Sequence, residues 1–110
     1  MTPEGRVKKK IKDVLKELGA YYAMPMGTGY GNSGVPDFLV CYRGRFVAIE
    51  SKAGNNLPTA LQAANLVAIK KAGGVALVVN DSNVNQLKEI LYEEVNGRED
   101  SGAAGEGLEG

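Results

Sequence analysis

DFLVCYRGRFVAIESK, Asp37 to Lys52, is the stretch that decides the fold. Two runs rich in β-branched and aromatic residues, Asp37 to Tyr42 and Phe46 to Lys52, flank Arg43 and Gly44 in the pattern of a β-hairpin. A two-residue turn there, or a four-residue loop in the same register, sets Tyr42 opposite Arg45 and Asp37 opposite Glu50. Directly opposed residues hold their Cβ atoms about 5 Å apart, and like charges so placed are destabilising unless something compensates. A divalent cation is the obvious compensation, because Mg²⁺ favours one or two carboxylates, retained waters and phosphate oxygens over a full protein cage. Glu50 and Lys52, two apart on one strand, project from the same face, while Val47 and Ile49 point to the other, against the core. An ammonium beside a metal and a bound phosphate can stabilise developing negative charge or orient an attacking water. A surface salt-bridge cluster is the plain alternative and contributes little. It does not account for two carboxylates converging beside a glycine loop.

That loop, GYGNSGVPD from Gly29 to Asp37, matches G-x-G-x-x-G at Gly29, Gly31 and Gly34. A dinucleotide-binding loop must open a helix whose N-terminus meets the pyrophosphate. Here Pro36 biases Val35 towards extended geometry, and a strand follows. The loop therefore feeds a strand, and no dinucleotide cofactor is expected. Its bare backbone suits either a close approach of a nucleic-acid backbone or flexing on binding, and Tyr30 within it reads equally as a residue to stack on a base or wedge into a junction and as a chance exposed aromatic.

Working outward, Val7, Ile11, Val14, Leu15 and Leu18 recur at helical spacing before Gly19, so Thr2 to Leu18 reads as an amphipathic helix with Thr2 as cap and Pro3 in the first turn. Glu4 also falls in that first turn, where the helix dipole favours it. Tyr21 to Met26 reads as a short edge strand. Thr59 to Ala72 reads as a second helix with Leu61, Leu66 and Ile69 inside, Val75 to Val79 as a buried strand, and Ser82 to Val95 as a third helix. The order is αβββαβα, an α/β domain with a small mixed sheet flanked by helices.

At 110 residues the chain supports one core. Its formal charge of zero conceals an uneven distribution, since NGREDSGAAGEGLEG, Asn96 to Gly110, carries four acidic residues against one arginine. Residues 1–95 are expected to form the domain, and 96–110 a disordered acidic, Gly-rich tail. The domain is then net basic, mostly through Arg6, Lys8, Lys9, Lys10, Lys12 and Lys16 on the first helix, a patch that suits a polyanion. No run approaches the length of a membrane span, and no signal peptide is expected. The single cysteine, Cys41, fits a reducing cytosolic compartment, and with no histidine in the chain to activate it, it reads as a small buried hydrophobe.

G-V-P-D at Gly34 to Asp37, followed by E-S-K at Glu50 to Lys52, resembles the PD-(D/E)XK nuclease superfamily, and most closely its virus-type replication-repair nuclease (VRR-NUC) branch near the Holliday-junction resolvases. Glu4, Gly34, Pro36, Asp37, Glu50, Lys52 and Gln62 stand at matching places between about Pro3 and Val79. The resemblance implies a restriction-endonuclease-like core and metal-dependent, structure-selective cleavage of DNA phosphodiester bonds, on branched DNA such as a Holliday junction or flap, in phage-type replication, repair or recombination. It implies that Asp37 and Glu50 bind Mg²⁺ or Mn²⁺, joined by Glu4 and by the backbone carbonyl of Ser51. It further implies that Lys52 assists the nucleophilic water and that Gln62 orients Lys52 or the water. Arg6, Lys8, Lys9, Lys10, Lys12 and Tyr30 are then the nucleic-acid contacts. Ser51 departs from the usual hydrophobic residue at its position, and its side chain is expected to point away from the metal. A homodimer in the cytoplasm of a bacterial or phage-infected cell completes the expectation. The competing reading is a non-catalytic nucleic-acid-binding module that uses the same basic helix.

Overall fold

The computed structural model describes residues 1–26 and 34–106, with side chains as far as residue 97, so Tyr30 and its neighbours Gly29 and Gly31 lie outside the described residues. Strands β1 (Tyr21–Ala23), β2 (Phe38–Tyr42), β3 (Arg45–Ser51) and β4 (Val75–Val79) form one sheet in that order. The β1–β2 and β2–β3 pairs are antiparallel, and β4 lies parallel to β3. Helix α1 (Pro3–Glu17) precedes the sheet, α2 (Ala60–Lys71) links β3 to β4, and α3 (Leu87–Glu106) follows a short 3₁₀ turn at Val84–Gln86. This is the expected αβββαβα order around a mixed sheet.

Local chemistry explains the boundaries. The hairpin has the anticipated register, Tyr42 opposite Arg45 and Phe38 opposite Ile49. Its two turn residues, Arg43 and Gly44, both have positive φ, at 52° and 78°, as a type I′ turn between twisted strands requires. Thr2 caps α1 by accepting the Gly5 amide at 3.0 Å, with proline in the first turn. Thr59 and Gln62 form a reciprocal capping box at the start of α2.

One face of the sheet carries the core. Phe38, Val40, Val47, Ile49, Val75 and Val79 meet Val7, Ile11 and Leu15 of α1 and Leu87, Leu91 and Val95 of α3. On the other face, the neighbouring small residues Ala48 and Ala76 leave room for α2, which contributes Leu66 to the buried set. Strand β3 is consequently buried on both faces from Val47 to Ser51.

Three expectations change. Cys41 is exposed, because β2 alternates it onto the face away from the α1–α3 core. Leu61 is 58% exposed, because α2 rests on Leu66 and turns Leu61 outward. The third helix does not stop at Val95 but continues to Glu106. Val95 is the last of its described side chains that is buried, and beyond it helix propagation needs only one further backbone bond per residue.

Candidate active site

The site lies where β2 begins and β3 ends, so it draws on both layers of helices. Asp37, one residue before β2, extends the hairpin register towards Glu50. Glu50 is 2% exposed, and its Oε1 has no hydrogen-bond partner. Its Oε2 sits 3.6 Å from the Lys52 ammonium, itself mostly buried. Burial, reinforced by the charge of Asp37 and opposed by Lys52, pushes the Glu50 carboxyl up to about 7. Lys52 is held in place through its backbone, whose amide donates to the Val79 carbonyl at 2.9 Å and so continues the β3–β4 ladder past the strand.

Ser51 makes contacts that the sequence did not predict. Its hydroxyl donates to Asp37 Oδ2 at 2.6 Å, and its amide donates to the same oxygen at 2.9 Å. The hydroxyl also reaches Glu4 Oε2 at 3.5 Å. The cause is positional: Ser51 ends β3 on the face shared by Val47 and Ile49, where the first turn of α1 lies, and Asp37 leans across the strand end to meet it. Lys8, expected only as a DNA contact, also belongs here, 3.8 Å from Asp37 Oδ1 and 3.9 Å from Glu4 Oε2. The i, i+4 spacing of Glu4 and Lys8 was the available signal for this pairing; the hydroxyl of Ser51 had none.

The remaining residues are distributed differently from expectation. Gln62 engages the start of its own helix through its side-chain oxygen. Its Oε1 accepts the Thr59 amide at 2.8 Å as half of the capping box. Gly34, with φ of 81°, is a packing glycine: a Cβ there would lie 2.7 Å from the Leu61 carbonyl carbon and 2.9 Å from the Gln62 nitrogen. The close approach at this end of the loop is to the first turn of α2. Arg6 donates to the Met1 carbonyl and Lys9 pairs with Asp13, both at the surface, while Lys10 lines a groove with Asp13, Glu17 and Lys88. Lys12, one turn beyond Lys8, is half-buried.

Among the described residues, no group of three or more acidic, histidine or cysteine side chains converges tightly enough to cage an ion. The donors instead suit an ion that needs few protein ligands. Glu50 Oε1 is an orphaned buried oxygen, the carboxyl that bears it is held protonated to unusually high pH, and Asp37 leaves Oδ1 free of the Ser51 donors. Hard oxygens in that number fit a divalent cation completed by waters and phosphate.

No protein-family model and no curated protein matches the sequence. Solved structures do. One described as a VRR_NUC domain aligns with 81% of this chain and 97% of its own, at 33% identity and a TM-score of 0.72. A second, described as a VRR_NUC domain protein, covers 86% of this chain and 89% of its own at 16% identity and a TM-score of 0.64. An Archaeoglobus fulgidus Hjc, a Holliday junction resolvase, covers 66% and 67% at 23% identity and a TM-score of 0.46. The mixed sheet, the helix layers and the acid pair at the hairpin end define a restriction-endonuclease-like fold of the PD-(D/E)XK kind. Within that class, the chain belongs to the VRR-NUC family.

Proposed function

We propose that this chain is a metal-dependent DNA endonuclease that hydrolyses phosphodiester bonds in branched DNA, such as a Holliday junction or flap, and acts as a homodimer in the cytoplasm. The observation that carries the reading is Glu50: a buried carboxylate with an orphaned oxygen, facing Asp37, with Lys52 beside it. A fold does not require such a group, and a buried carboxylate oxygen left without a donor is destabilising unless a ligand compensates.

Asp37 and Glu50 would hold Mg²⁺ or Mn²⁺, with the Ser51 carbonyl and Glu4 at the margin. The ion, when bound, supplies Lewis-acid polarisation of the phosphate and a water of lowered pKa. Ser51 fixes the Asp37 rotamer through two donors on one oxygen. Lys52, anchored by β4, keeps its ammonium where negative charge develops and the attacking water must be oriented. Gln62 serves the site by capping α2 against Gly34. Arg6, Lys9, Lys10 and Lys12 provide phosphate contacts along α1, with Tyr30, outside the described residues, assigned to a base. Two copies suit a branched substrate with two related strands.

The test is a titration of Mg²⁺ and Mn²⁺ against linear, nicked, flapped and four-way DNA. Metal-dependent cutting of the branched forms is expected, and Asp37→Ala and Lys52→Ala should each lower it by roughly 10²-fold or more while the circular dichroism spectrum is retained. Undiminished cutting by both variants would remove the assigned site. Salt-sensitive binding without cleavage would favour the binding-module reading. Light scattering at several concentrations tests the dimer.

A further inference from the structure

The two oxygens of Asp37 have different neighbours. Oδ2 accepts both the amide and the hydroxyl of Ser51, at 2.9 Å and 2.6 Å, and is saturated by protein donors. Oδ1 faces the ammonium of Lys8 at 3.8 Å. The same ammonium lies 3.9 Å from Glu4 Oε2, one helical turn away. Lys8 therefore faces the Asp37 oxygen that the Ser51 donors leave open. It is about one-third exposed, so its head can swing to solvent without rearranging the core. Lys52 differs, being 14% exposed and paired with Glu50.

We propose that Lys8 is a resident counter-cation for Asp37 and Glu4 that a divalent ion must displace, so that Lys8 sets the affinity of the site for metal. The inference rests on the reading that Asp37 and Glu50 bind the ion. Without Lys8, Asp37 would face the other two acids with only neutral Ser51 donors beside it, and like charges at such separations repel appreciably even near a surface. With Lys8 in place the metal-free protein is better balanced, but the ammonium competes with the ion for Asp37 Oδ1 and repels it once bound. The released ammonium then lies on the same α1 stripe as Lys12, where a phosphate backbone would meet it.

The experiment is calorimetric titration of MnCl₂ and MgCl₂ into the DNA-free protein, for wild type, Lys8→Gln, Lys8→Arg and Asp37→Asn. Lys8→Gln should bind about three- to ten-fold tighter than wild type, the scale of one partly exposed charge pair, whereas Lys8→Arg should stay near wild type. Thermal melts in EDTA should place Lys8→Gln slightly below wild type, with a larger rise on adding Mn²⁺. A second measurement needs no variant to fold: in the ¹³C-methylated wild-type protein, the Lys8 resonance should move towards those of the free surface lysines when Mg²⁺ is added. Equal or weaker metal binding by Lys8→Gln, or a Lys8 resonance indifferent to Mg²⁺, overturns the inference. If Asp37→Asn still abolishes binding in that case, the proposed function stands. Absence of any metal binding by wild type overturns both.

Discussion

The two faces of the sheet are built to different standards. Against α1 and α3, Phe38, Val40, Val47, Ile49, Val75 and Val79 are closed over almost completely by side chains of both helices. Against α2, small alanines face a helix whose Leu61 and Val67 remain 58% and 50% exposed, and whose one buried side chain among the described residues is Leu66. The acid pair stands at the end of this second, looser side, while its supports Ser51, Glu4 and Lys8 come from the first. A well-packed face can carry a destabilised carboxylate on its back. That division is what a chain needs if it must keep Glu50 buried and unsatisfied until a ligand arrives.

The division is broken most directly by truncating one side chain on each face. Ile11→Ala, in the fully closed layer, should lose about 2–5 kcal/mol in urea unfolding. Leu61→Ala should change stability by about 0.5 kcal/mol or less, as expected for an exposed site. Comparable losses at both positions would mean that the α2 face is covered in solution, and a concentration-dependent midpoint for Leu61→Ala would identify the cover as a second copy of this chain.

What could be read from sequence divides along the same line. Hairpin register follows from local rules, the two-residue turn at Arg43 and Gly44 and the alternation on either side of it, and so Asp37 and Glu50 could be paired before any coordinates. The start of α1 at Thr2 and Pro3 is equally local. Alternation says which face a side chain takes but not what covers that face, which is why Cys41 was expected inside and is exposed. Helical spacing grouped Leu61 with Leu66, yet the small footprint of α2 admits only Leu66. The Ser51 hydroxyl contacts and the pairing of Lys8 with Asp37 were illegible for the same reason, since both depend on the first turn of α1 meeting the end of β3, forty-seven residues away in sequence for the Ser51–Glu4 contact.

Glu50 gives a sharper test, with a sign. Its folded-state pKa of about 7 lies above the unfolded value of 4.5, so between those limits the folded chain binds more protons than the unfolded one. Stability from this group is therefore full below pH 4.5 and is lost as pH rises towards 7, by about 3 kcal/mol in all. Glu50→Gln does not titrate. In EDTA the variant and wild type should be similarly stable near pH 4, with the variant ahead by up to about 3 kcal/mol at pH 8. Mg²⁺ at pH 8 should narrow that gap by stabilising wild type alone. Parallel pH profiles for the two proteins would mean that Glu50 is solvated and the looser face is not holding a destabilised acid.

The smallest effect concerns the end of α2 that touches the site. Thr59 Oγ1 accepts the Gln62 amide and Gln62 Oε1 accepts the Thr59 amide, so removing either side chain breaks the same box. Thr59→Ala and Gln62→Ala should each lose about 1 kcal/mol. The pair also separates two roles for Gln62, because Thr59→Ala disturbs the cap without touching the glutamine. If Gln62 acts through the cap, by keeping the first turn of α2 seated on Gly34, both variants should lower cleavage by the same small factor. A large loss confined to Gln62→Ala would instead place the amide itself on the water or on Lys52, and would show that the helix end rearranges when substrate binds.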